Sequence, residues 1–346
     1  MFDKPAFAGH ESVHHFYDSA SGLRAIIAIH STARGPAAGG CRMWNYDTAD
    51  AAFVDALRLS EGMSYKNAMA DLPLGGGKAV IWGNSRTDKT PEKFRALGRA
   101  IESLQGKYWS AEDVGVSPAD MAFAAENTRY VAGLSTGKAA SGDPSPVTAR
   151  GVFLGLKATA ARVFGTDDLN GKRVAVQGVG HVGADVCRHL AKAGAEIIVT
   201  DVNQDALNEI ARETGAKVAS PDEIYDAKVD IFSPNALGAV VNPATIHRLN
   251  AKVIAGGANN QLSTPDMGEE LLHRGILYAP DYVINGGGII NVAAEIAGAY
   301  DPAWVEGKVQ KLVETLGMVL DQARSEGRAT NRVADEIARR RIGESA

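Results

Sequence analysis

Short runs of apolar residues alternate with helical patterns along most of the chain. In the first third, strand-like runs occupy residues 23–29, 78–82 and 108–110, and two helices are predicted to begin near Thr48 and at Thr90, where a hydroxyl residue precedes proline. Alternation of this kind is typical of an α/β domain in which strands that are not consecutive in the chain pair. We therefore predict an α/β fold for this part of the protein.

The pattern changes at a turn-rich stretch, residues 141–151, which we interpret as a hinge. A long helix is expected to follow to about Phe164, and residues 172–203 then have the pattern of strand, glycine turn, helix and strand. Further strand-like runs occupy residues 230–233, 252–255 and 277–279. This succession predicts a parallel, doubly wound sheet.

The chain is longer than a single hydrophobic core usually supports, because it has 346 residues. We predict two domains with a cleft between them, one over residues 1–138 and one over residues 139–325. Apolar residues recur at helical spacing over 305–316, which predicts a helical C-terminal region. A final helix over residues 326–346 is expected to pack back on the first domain.

Composition and charge narrow the class of protein. Hydrophobic residues make up 45% and charged residues 22%, as in an ordinary globular protein, and the net charge of −5 is spread without a basic cluster. We therefore expect no nucleic-acid partner and no membrane partner. The two cysteines, Cys41 and Cys187, lie far apart and outside any metal-ligand spacing, and the N-terminus has no leader pattern. This favours the cytoplasm and predicts no metal site.

A glycine motif follows the predicted strand over residues 173–177. Gly178, Gly180 and Gly183 have the GxGxxG spacing that allows a tight turn, close approach of a pyrophosphate, and close packing of helix on strand. Asp201 ends the next strand, at the position where a carboxylate binds the adenosine ribose and repels a 2′-phosphate. The second domain is therefore predicted to be a Rossmann-type, NAD-binding domain. The alternative is a turn that only connects strand and helix.

Two lysines lie in an apolar context in the first domain. Lys66 precedes, and Lys78 directly follows, the three glycines at 75–77, where the backbone is able to pass close to a ligand. The segment is not a P-loop, because Leu72 replaces the first glycine and Ala79 replaces the Ser or Thr. Two lysines near one apolar site would lower each other's pKa, and a neutral lysine suits general-base catalysis. The residues alone leave open that both are solvated surface charges.

Seven motifs are distributed through most of the chain. They are GPAAGGCRM at 35–43, SYKNAMADLPLGGGKAVI at 64–81, SAEDVG at 110–115, GDPSPVTARGV at 142–152, the glycine turn at 178–183, AGGANNQL at 255–262 and YAPDYVINGGGIINVA at 278–293. In content and order they resemble the glutamate, leucine, phenylalanine and valine dehydrogenase family, specifically its leucine and phenylalanine branch. The resemblance implies a homo-oligomeric enzyme with a substrate-binding and catalytic N-terminal domain.

The resemblance also implies a reaction, the reversible NAD-dependent oxidative deamination of a small apolar L-amino acid to its 2-oxo acid and ammonia. In the family, the lysine matching Lys66 holds the substrate carboxylate. The lysine matching Lys78 is the base that activates water for attack on the iminium, and the acid matching Asp113 exchanges a proton with the substrate nitrogen. By sequence alone, Glu112 is an equally available acid.

Further site residues are implied by the same resemblance. Substrate contacts are expected from Gly39, Gly40 and Asn260, and a side-chain pocket from Ala38, Ala111, Ile289 and Val292. Cofactor contacts are expected from Thr148, Gly178, Gly180, His181, Val182, Gly183, Asp201, Asn235, Ala258, Asn260 and Asn285. Pro144 and Gly286 depart from the family pattern and put local cofactor contacts in question.

The substrate class follows in part from one position. Glutamate dehydrogenases of the family have a lysine where this chain has Ala38, so a glutamate side chain would be desolvated without a partner. We expect branched-chain substrates, with phenylalanine or tryptophan as the alternative. A hydroxy-acid dehydrogenase, which normally uses a histidine and arginine pair, and a non-catalytic NAD-binding protein are the rival classes. The physiological direction and the oligomeric state are left open.

Overall fold

The computed structural model describes residues 2–134, 142–236, 238–298 and 300–344. These residues form two compact units. Unit 1 comprises the described residues within Met1–Pro144, Ile289–Val305 and Ala338–Ala346, and unit 2 those within Ser145–Gly288 and Glu306–Ile337.

Unit 1 is built on a mixed five-stranded sheet. Its strands are β1 (Ser12–Asp18), β2 (Leu23–Ser31), β3 (Ala37–Trp44), β4 (Gly75–Trp82) and β5 (Tyr108–Glu112). Its principal helices are α1 (Ala49–Met69), α2 (Pro91–Glu102) and α3 (Pro118–Ala125). The strand order is β1-β2-β4-β3-β5, in which β2 runs antiparallel to β1 and β4 whereas β3 runs parallel to β4 and β5. The predicted pairing of strands that are not consecutive is confirmed.

Helices cover both faces of this sheet. The Thr48 hydroxyl accepts a hydrogen bond from the backbone of Ala51 and caps α1, and Thr90 caps α2 with proline in its first turn, as the sequence predicts. Phe53 and Leu57 of α1 pack on one face of the sheet, and α2 and α3 pack on the other. The centre of the sheet is therefore shielded from water on both sides.

The structure differs from the sequence prediction at β1, β3 and the start of β4. The predicted strand began at Lys78, but β4 already begins at Gly75. A Cβ at Gly75 would contact the carbonyl oxygen of Ser31, a Cβ at Gly76 would contact Ser64, and a Cβ at Gly77 would lie 2.7 Å from the ring of Tyr108. Packing within unit 1 therefore already requires these glycines, and the approach of a ligand to this backbone stays a prediction.

Unit 2 contains the second sheet. Its strands are β6 (Arg173–Gln177), β7 (Glu196–Thr200), β8 (Lys217–Val218), β9 (Ile231–Pro234), β10 (Val253–Ile254) and β11 (Leu277–Tyr278). The order is β11-β10-β9-β6-β7-β8 and every neighbouring pair is parallel. The prediction of a parallel, doubly wound, Rossmann-type sheet is confirmed, because chain order reverses between β6 and β9.

The remaining helices follow the hinge region in the chain. They are α4 (Ser145–Phe164), α5 (His181–Lys192), α6 (Gln204–Thr214), α7 (Met267–His273), α8 (Asp281–Ile284), α9 (Gly287–Ile296), α10 (Pro302–Glu326) and α11 (Thr330–Ile342), with a 3₁₀ helix at Glu223–Asp226. Most of the predicted hinge, from Ser145 onward, is already helical, since Pro146 lies in the first turn of α4, where proline is tolerated. Ser141 of that prediction lies outside the described residues.

The division of the chain differs from the predicted domain ranges. The boundary predicted between residues 138 and 139 lies outside the described residues, and the two units divide between Pro144 and Ser145. Residues Ile289–Val305, predicted to belong to the second domain, group with unit 1. One physical reason is Glu295, whose carboxylate accepts hydrogen bonds from the backbone amides of residues 133 and 134 at 2.9 and 3.2 Å.

The C-terminal helix is divided in the same way. Its last described residues, 338–344, group with unit 1, and Arg341 donates hydrogen bonds to the carbonyl oxygens of Ala68 and Met69 at 3.0 and 3.2 Å. The earlier part of α11 belongs to unit 2. The helix predicted over 326–346 therefore contributes only its end to unit 1.

Candidate active site

The central strands of unit 1 create a space above one glycine. On one side of β3, Gly40 pairs with Ala111 of β5. On the other side of β3, Cys41 pairs with Ala79 of β4, so Gly40 and Lys78, the residues that precede these two, are neighbours. A Cβ at Gly40 would lie 2.7 Å from Cβ of Asp113. A side chain at this position would therefore occupy the space beside the Asp113 carboxylate, which explains the glycine.

Lys78 and Asp113 form an ion pair beside this space. Lys78 Nζ lies 2.6 Å from Asp113 Oδ2, and only 7% and 20% of the two side chains are exposed. Burial raises the pKa of Asp113, but the charges of Lys78 and Arg42 outweigh it and lower that pKa to about 2. Asp113 is therefore ionised at neutral pH. Of the two acids that the sequence offered, Asp113 forms an ion pair with Lys78.

Sequence reasoning missed Arg42, which also pairs with Asp113. Arg42 Nε lies 3.4 Å from Asp113 Oδ2, Arg42 Nη1 lies 3.1 Å from Asp55 Oδ2, and the Tyr46 hydroxyl donates a hydrogen bond to the same Asp55 oxygen. Burial lowers the pKa of Arg42, whereas Asp113 and Asp55 raise it, and the net shift is upward. An arginine within a predominantly small and apolar segment was the available signal.

The predicted substrate lysine, Lys66, lies half-buried in the last turn of α1. The next residue, Asn67, is fully buried and donates hydrogen bonds to the carbonyl oxygens of Ala38 and Gly75. This amide ties the last turns of α1 to the starts of β3 and β4. Sequence reasoning missed Asn67, although a polar amide on the buried side of a helix could have indicated it.

The four predicted pocket residues all belong to unit 1 and are almost fully buried. Ala38 and Ala111 are 1% and 6% exposed on neighbouring strands, and Ile289 and Val292 are 8% and 7% exposed on α9. Glu295 lies one turn further along the same helix face, where its two hydrogen bonds to backbone amides anchor the helix. Two of the four pocket residues, Ile289 and Val292, therefore share helix α9 with the anchor Glu295.

The glycine turn of unit 2 lies where chain order reverses. Gly178 has a φ of 92° and donates a hydrogen bond to the carbonyl oxygen of Thr200 at 2.8 Å, and a Cβ at Gly183 would contact the Gly178 carbonyl oxygen. Gly180 precedes α5, which has no side-chain cap, and nothing lies within 4 Å of the Cβ position of Gly180. Uncapped helix amides beside open space fit the pyrophosphate of a dinucleotide.

Asp201 has a structural role beside the predicted one. Its Oδ2 accepts a hydrogen bond from the backbone amide of Val179 at 2.7 Å, and its Oδ1 accepts one from Asn203 at 2.8 Å. Each carboxylate oxygen has a further lone pair, so the group remains able to accept hydrogen bonds from ribose hydroxyls. The same side chain thus fixes the glycine turn and fits the adenosine ribose.

Two asparagines shape the neighbouring loops. Asn235 follows β9, and its Oδ1 accepts a hydrogen bond from Gly257 at 2.8 Å. Asn285 is 5% exposed and donates to Asn259 at 2.8 Å, whereas its Oδ1 has no hydrogen-bond partner among the described residues. A buried acceptor of this kind fits a ligand that carries a donor, such as a carboxamide.

The other predicted cofactor residues lie on α4, on α5 and in the loop that follows β10, all within unit 2. Ala258 is buried after β10 and donates a hydrogen bond to the carbonyl oxygen of Pro234, and Asn260 is exposed with a φ of 52°. Thr148 lies in the first turn of α4, and His181 and Val182 begin α5. The residues predicted to bind a dinucleotide therefore all belong to unit 2.

Gly286 and Pro144, the two residues that depart from the family pattern, are each compatible with their local structure. A Cβ at Gly286 would lie 3.0 Å from Cδ2 of Leu312, so the leucine takes up the room that an alanine would need. Pro144 directly precedes α4, a position at which proline is compatible with a helix start. Neither departure involves Lys78 or Asp113.

Three further findings concern chemistry outside this site. Cys41 and Cys187 are buried and unpaired, and burial raises the pKa of each thiol to about 12. Over residues 2–134, 142–236, 238–298 and 300–344, no three His, Cys, Asp or Glu side chains are arranged to hold a metal ion. None of the helices in these ranges combines the length and apolar character needed to cross a bilayer.

Comparison with known proteins supplies an independent view of this arrangement. Residues 10–130 match the family model described as Glu/Leu/Phe/Val dehydrogenase, dimerisation domain, and residues 199–338 match the model described as Glutamate/Leucine/Phenylalanine/Valine dehydrogenase. A leucine dehydrogenase of Bacillus cereus is 51% identical over 96% of this chain and 91% of its own length.

Relatives with other names are also similar over almost the whole chain. A phenylalanine dehydrogenase of Bacillus thermotolerans is 44% identical over 99% of this chain and 90% of its own length. The crystal structure of an L-tryptophan dehydrogenase from Nostoc punctiforme superposes with a TM-score of 0.83 at 42% identity, over 96% of both chains.

Proposed function

The chain belongs to the Glu/Leu/Phe/Val dehydrogenase family, and on this premise we propose that it catalyses the reversible, NAD-dependent oxidative deamination of a small apolar L-amino acid. The products are the 2-oxo acid and ammonia. The observation that carries the proposal is the buried ion pair between Lys78 and Asp113, with Nζ and Oδ2 2.6 Å apart. A base and a proton carrier are thereby held together in the unit that also holds Lys66 and the apolar pocket residues.

The residues of unit 1 divide the work as follows. Lys66 binds the substrate carboxylate and orients the α-carbon. Asp113, ionised at neutral pH, accepts a proton from the substrate ammonium and later returns one to the departing nitrogen. Lys78 in its neutral form takes a proton from the attacking water, and the ammonium so formed stabilises the negative charge that develops on the substrate oxygen. The low exposure of both side chains limits competition from bulk water.

The cofactor is a nicotinamide dinucleotide, which when bound accepts the hydride from the α-carbon. The residues that would hold it are the Gly178–Gly183 turn, Asp201, and the loops around Asn235 and Asn285. We propose NAD as the preferred form, because the Asp201 carboxylate lies beside the glycine turn and would repel the 2′-phosphate of NADP.

The preferred substrate is a branched-chain amino acid such as leucine. Ala38 offers no cation to a side-chain carboxylate, and Ala111, Ile289 and Val292 present only hydrocarbon. The leucine dehydrogenase of Bacillus cereus shares more identical residues with this chain than do the phenylalanine dehydrogenase of Bacillus thermotolerans and the L-tryptophan dehydrogenase of Nostoc punctiforme. Phenylalanine and tryptophan form the alternative class, because the small Ala38 enlarges the pocket.

Assembly and location complete the proposal. The match of residues 10–130 to a domain described as a dimerisation domain supports a homo-oligomer. The two buried, unpaired cysteines are consistent with a reducing compartment, which favours the cytoplasm.

The test is turnover of the purified chain with NAD or NADP and each L-amino acid, followed by NADH or NADPH absorbance. We expect NADH formation with leucine, valine or isoleucine, and ammonia-dependent NADH oxidation with the matching 2-oxo acids. NADH formation with a hydroxy acid and no need for ammonia would indicate the rival dehydrogenase class. NAD binding without turnover of any substrate would show a non-catalytic protein.

A further inference from the structure

A series of polar side chains continues from the Lys78–Asp113 pair to half-buried residues of β3, the loop after it and α1. Arg42 connects Asp113 to Asp55 through distances of 3.4 and 3.1 Å, and Tyr46 donates a hydrogen bond to Asp55. The Arg42 and Asp55 side chains are only 20% and 22% exposed. Cations and anions alternate along this series, so each charge lies next to an opposite one.

Strand register explains why Arg42 meets Asp113. Cys41 lies opposite Glu112 in the β3–β5 ladder, so the residues that follow them, Arg42 and Asp113, are neighbours. The ladder is extended by a hydrogen bond of 2.9 Å from the Met43 amide to the carbonyl oxygen of Val114. The loop after β5 is thereby tied to β3, and the guanidinium and the carboxylate are brought together by backbone geometry.

Gly115 is a further requirement of this loop. It adopts a φ of 80°, and a Cβ there would contact the Met43 carbonyl oxygen. The turn closes with a hydrogen bond of 2.9 Å from the Val116 amide to the Asp113 carbonyl oxygen. The turn therefore defines the position of the Asp113 backbone, and the carboxylate itself is held by the charges of Lys78 and Arg42 and by a hydrogen bond from the Val114 backbone.

We propose that Arg42 is a positioning residue for the deamination reaction: anchored by Asp55 and Tyr46, it holds Oδ2 of Asp113 and so orients the carboxylate for proton exchange with the substrate nitrogen. This inference rests on the proposed function. Lys78 Nζ and Arg42 Nε both lie within ion-pair distance of the same carboxylate oxygen, Oδ2, at 2.6 and 3.4 Å. Arg42 acts through Asp113 and does not itself exchange a proton, since its guanidinium stays protonated.

Stability alone is a poor explanation for these side chains. Buried ion pairs are often no more stabilising than well-packed apolar residues of similar volume, because desolvation offsets the attraction. A lysine would not replace Arg42 well, because the planar guanidinium offers separate nitrogens to two carboxylates whereas an ammonium is a single point charge. Here Nε contacts Asp113 and Nη1 contacts Asp55.

The first experiment compares Arg42→Ala and Arg42→Lys with the wild type in steady-state kinetics. Misorientation of Asp113 should lower kcat by about 10- to 100-fold in Arg42→Ala while KM for the amino acid and Kd for NAD change little. Added guanidinium, far below denaturing concentrations, should restore part of kcat in Arg42→Ala, and urea, which has a similar shape and no charge, should not. Unchanged kcat, or equal rescue by urea, would overturn the inference.

A matched control is available elsewhere in unit 1. Arg95 also bridges two carboxylates, those of Glu126 and Glu92, at 2.7 and 3.2 Å. Arg95→Ala should leave kcat and KM unchanged and show no response to guanidinium. If Arg95→Ala lowered kcat as much as Arg42→Ala does, the loss of any arginine that bridges two carboxylates in unit 1 would lower kcat. That result would contradict a specific role of Arg42 in positioning Asp113.

A double-mutant cycle separates positioning from general support of the fold. If Arg42 acts through Asp113, then Arg42→Ala should lower kcat far less in an Asp113→Asn background than in the wild type. Additive losses would refute the coupling. Circular dichroism and the urea midpoint of each variant establish that the compared proteins are folded.

A second readout needs no turnover and so separates this inference from the proposed function. The low pKa of Asp113 contributes stability that is present above its unfolded-state pKa of about 3.9 and is lost as pH falls towards about 2. In Arg42→Ala the folded-state pKa should rise, so the urea midpoint should fall less between pH 5 and pH 3 than in the wild type. An identical pH dependence would overturn the inference, whereas a wild type without turnover would overturn only the proposed function.

Discussion

The two units prepare their candidate sites by opposite means. In unit 1, charged side chains with little exposure define the site, and Lys78 and Asp113 are held by partners on neighbouring strands. In unit 2, glycines and exposed backbone amides define the site. At Gly180, for example, nothing lies within 4 Å of the Cβ position. The site in unit 1 therefore depends on ion pairs and the site in unit 2 on the absence of side chains. Removal of a charge should damage the first, and addition of a methyl group to a glycine should damage the second.

This contrast follows from the chemistry that each unit is proposed to perform. Proton transfer needs groups of defined charge in an environment that excludes water, which ion pairs between β3, β4 and the loop after β5 provide. Binding a pyrophosphate needs close approach to backbone amides, which any side chain would obstruct. Four substitutions test the contrast, taken in order of decreasing expected effect.

The largest effect is expected from Lys78→Ala. Removal of the base and of the partner of Asp113 should lower kcat by about 100- to 10,000-fold, with Kd for NAD unchanged. Steady-state kinetics and NAD titration by fluorescence measure the two quantities. Weakened NAD binding together with a normal kcat would contradict the role of Lys78 in the reaction and would place it in cofactor binding instead.

Lys89 provides the control for this substitution. It also forms an ion pair in unit 1, with Asp120, outside the strands that carry Lys78. Lys89→Ala should retain kcat, although it removes a lysine with the same kind of partner.

The second substitution adds one methyl group to the glycine turn. In Gly183→Ala the new Cβ overlaps the Gly178 carbonyl oxygen, so the backbone must shift. We expect a loss of about 1–3 kcal/mol in the free energy of unfolding and a loss of NAD affinity. Gly307→Ala is the matched control, because nothing lies within 4 Å of its Cβ position on α10. Equal effects of the two substitutions would contradict a role for space at the turn.

The third substitution tests the charge of Asp201 in unit 2. Asp201→Asn removes the negative charge beside the glycine turn while keeping an acceptor for one of its two backbone hydrogen bonds. We expect the preference for NAD over NADP to fall by about tenfold, through tighter binding of NADP as well as weaker binding of NAD. The ratio of the two dissociation constants is the measurement, and an unchanged ratio would remove Asp201 from cofactor selection.

The smallest effect is expected from Glu295→Gln. The amide retains the size of the side chain, but only its oxygen is able to accept, so one of the two hydrogen bonds from residues 133 and 134 is lost. Release of α9 should change the ratio of kcat/KM for leucine to that for phenylalanine by a few-fold, with NAD affinity unaffected. Glu126→Gln, on the surface of unit 1, should leave the ratio unchanged.

Local patterns allowed much of unit 2 to be predicted from the sequence. The central residues of β6 and β7 are apolar, and the glycine spacing between β6 and α5 is a local signal. The short strand β8 was missed because its two residues are exposed and carry no apolar pattern. In unit 1, β3 was missed because two adjacent glycines interrupt it, whereas their Cβ positions are excluded by contacts that only the folded sheet reveals.

The charged site could be predicted only in part for a related reason. Lys78 and Asp113 were identified through family resemblance, and the residues alone did not distinguish Asp113 from Glu112. Arg42 was missed because its importance depends on Asp55 and Asp113, which are 13 and 71 positions away in the chain and meet it only through strand register and the packing of α1. Long-range pairing of charges leaves no periodic signal in a sequence.

The glycines of β3 and β4 also limit how this protein is able to diversify. A methyl group at residues 39, 40, 75, 76 or 77 would overlap neighbouring protein atoms, so a saturation library should find these positions intolerant of every substitution, alanine included. New substrate preferences must then arise at the other predicted pocket residues, which are Ala38, Ala111, Ile289 and Val292. Directed evolution of altered selectivity should therefore place its accepted changes on these residues and leave the five glycines invariant.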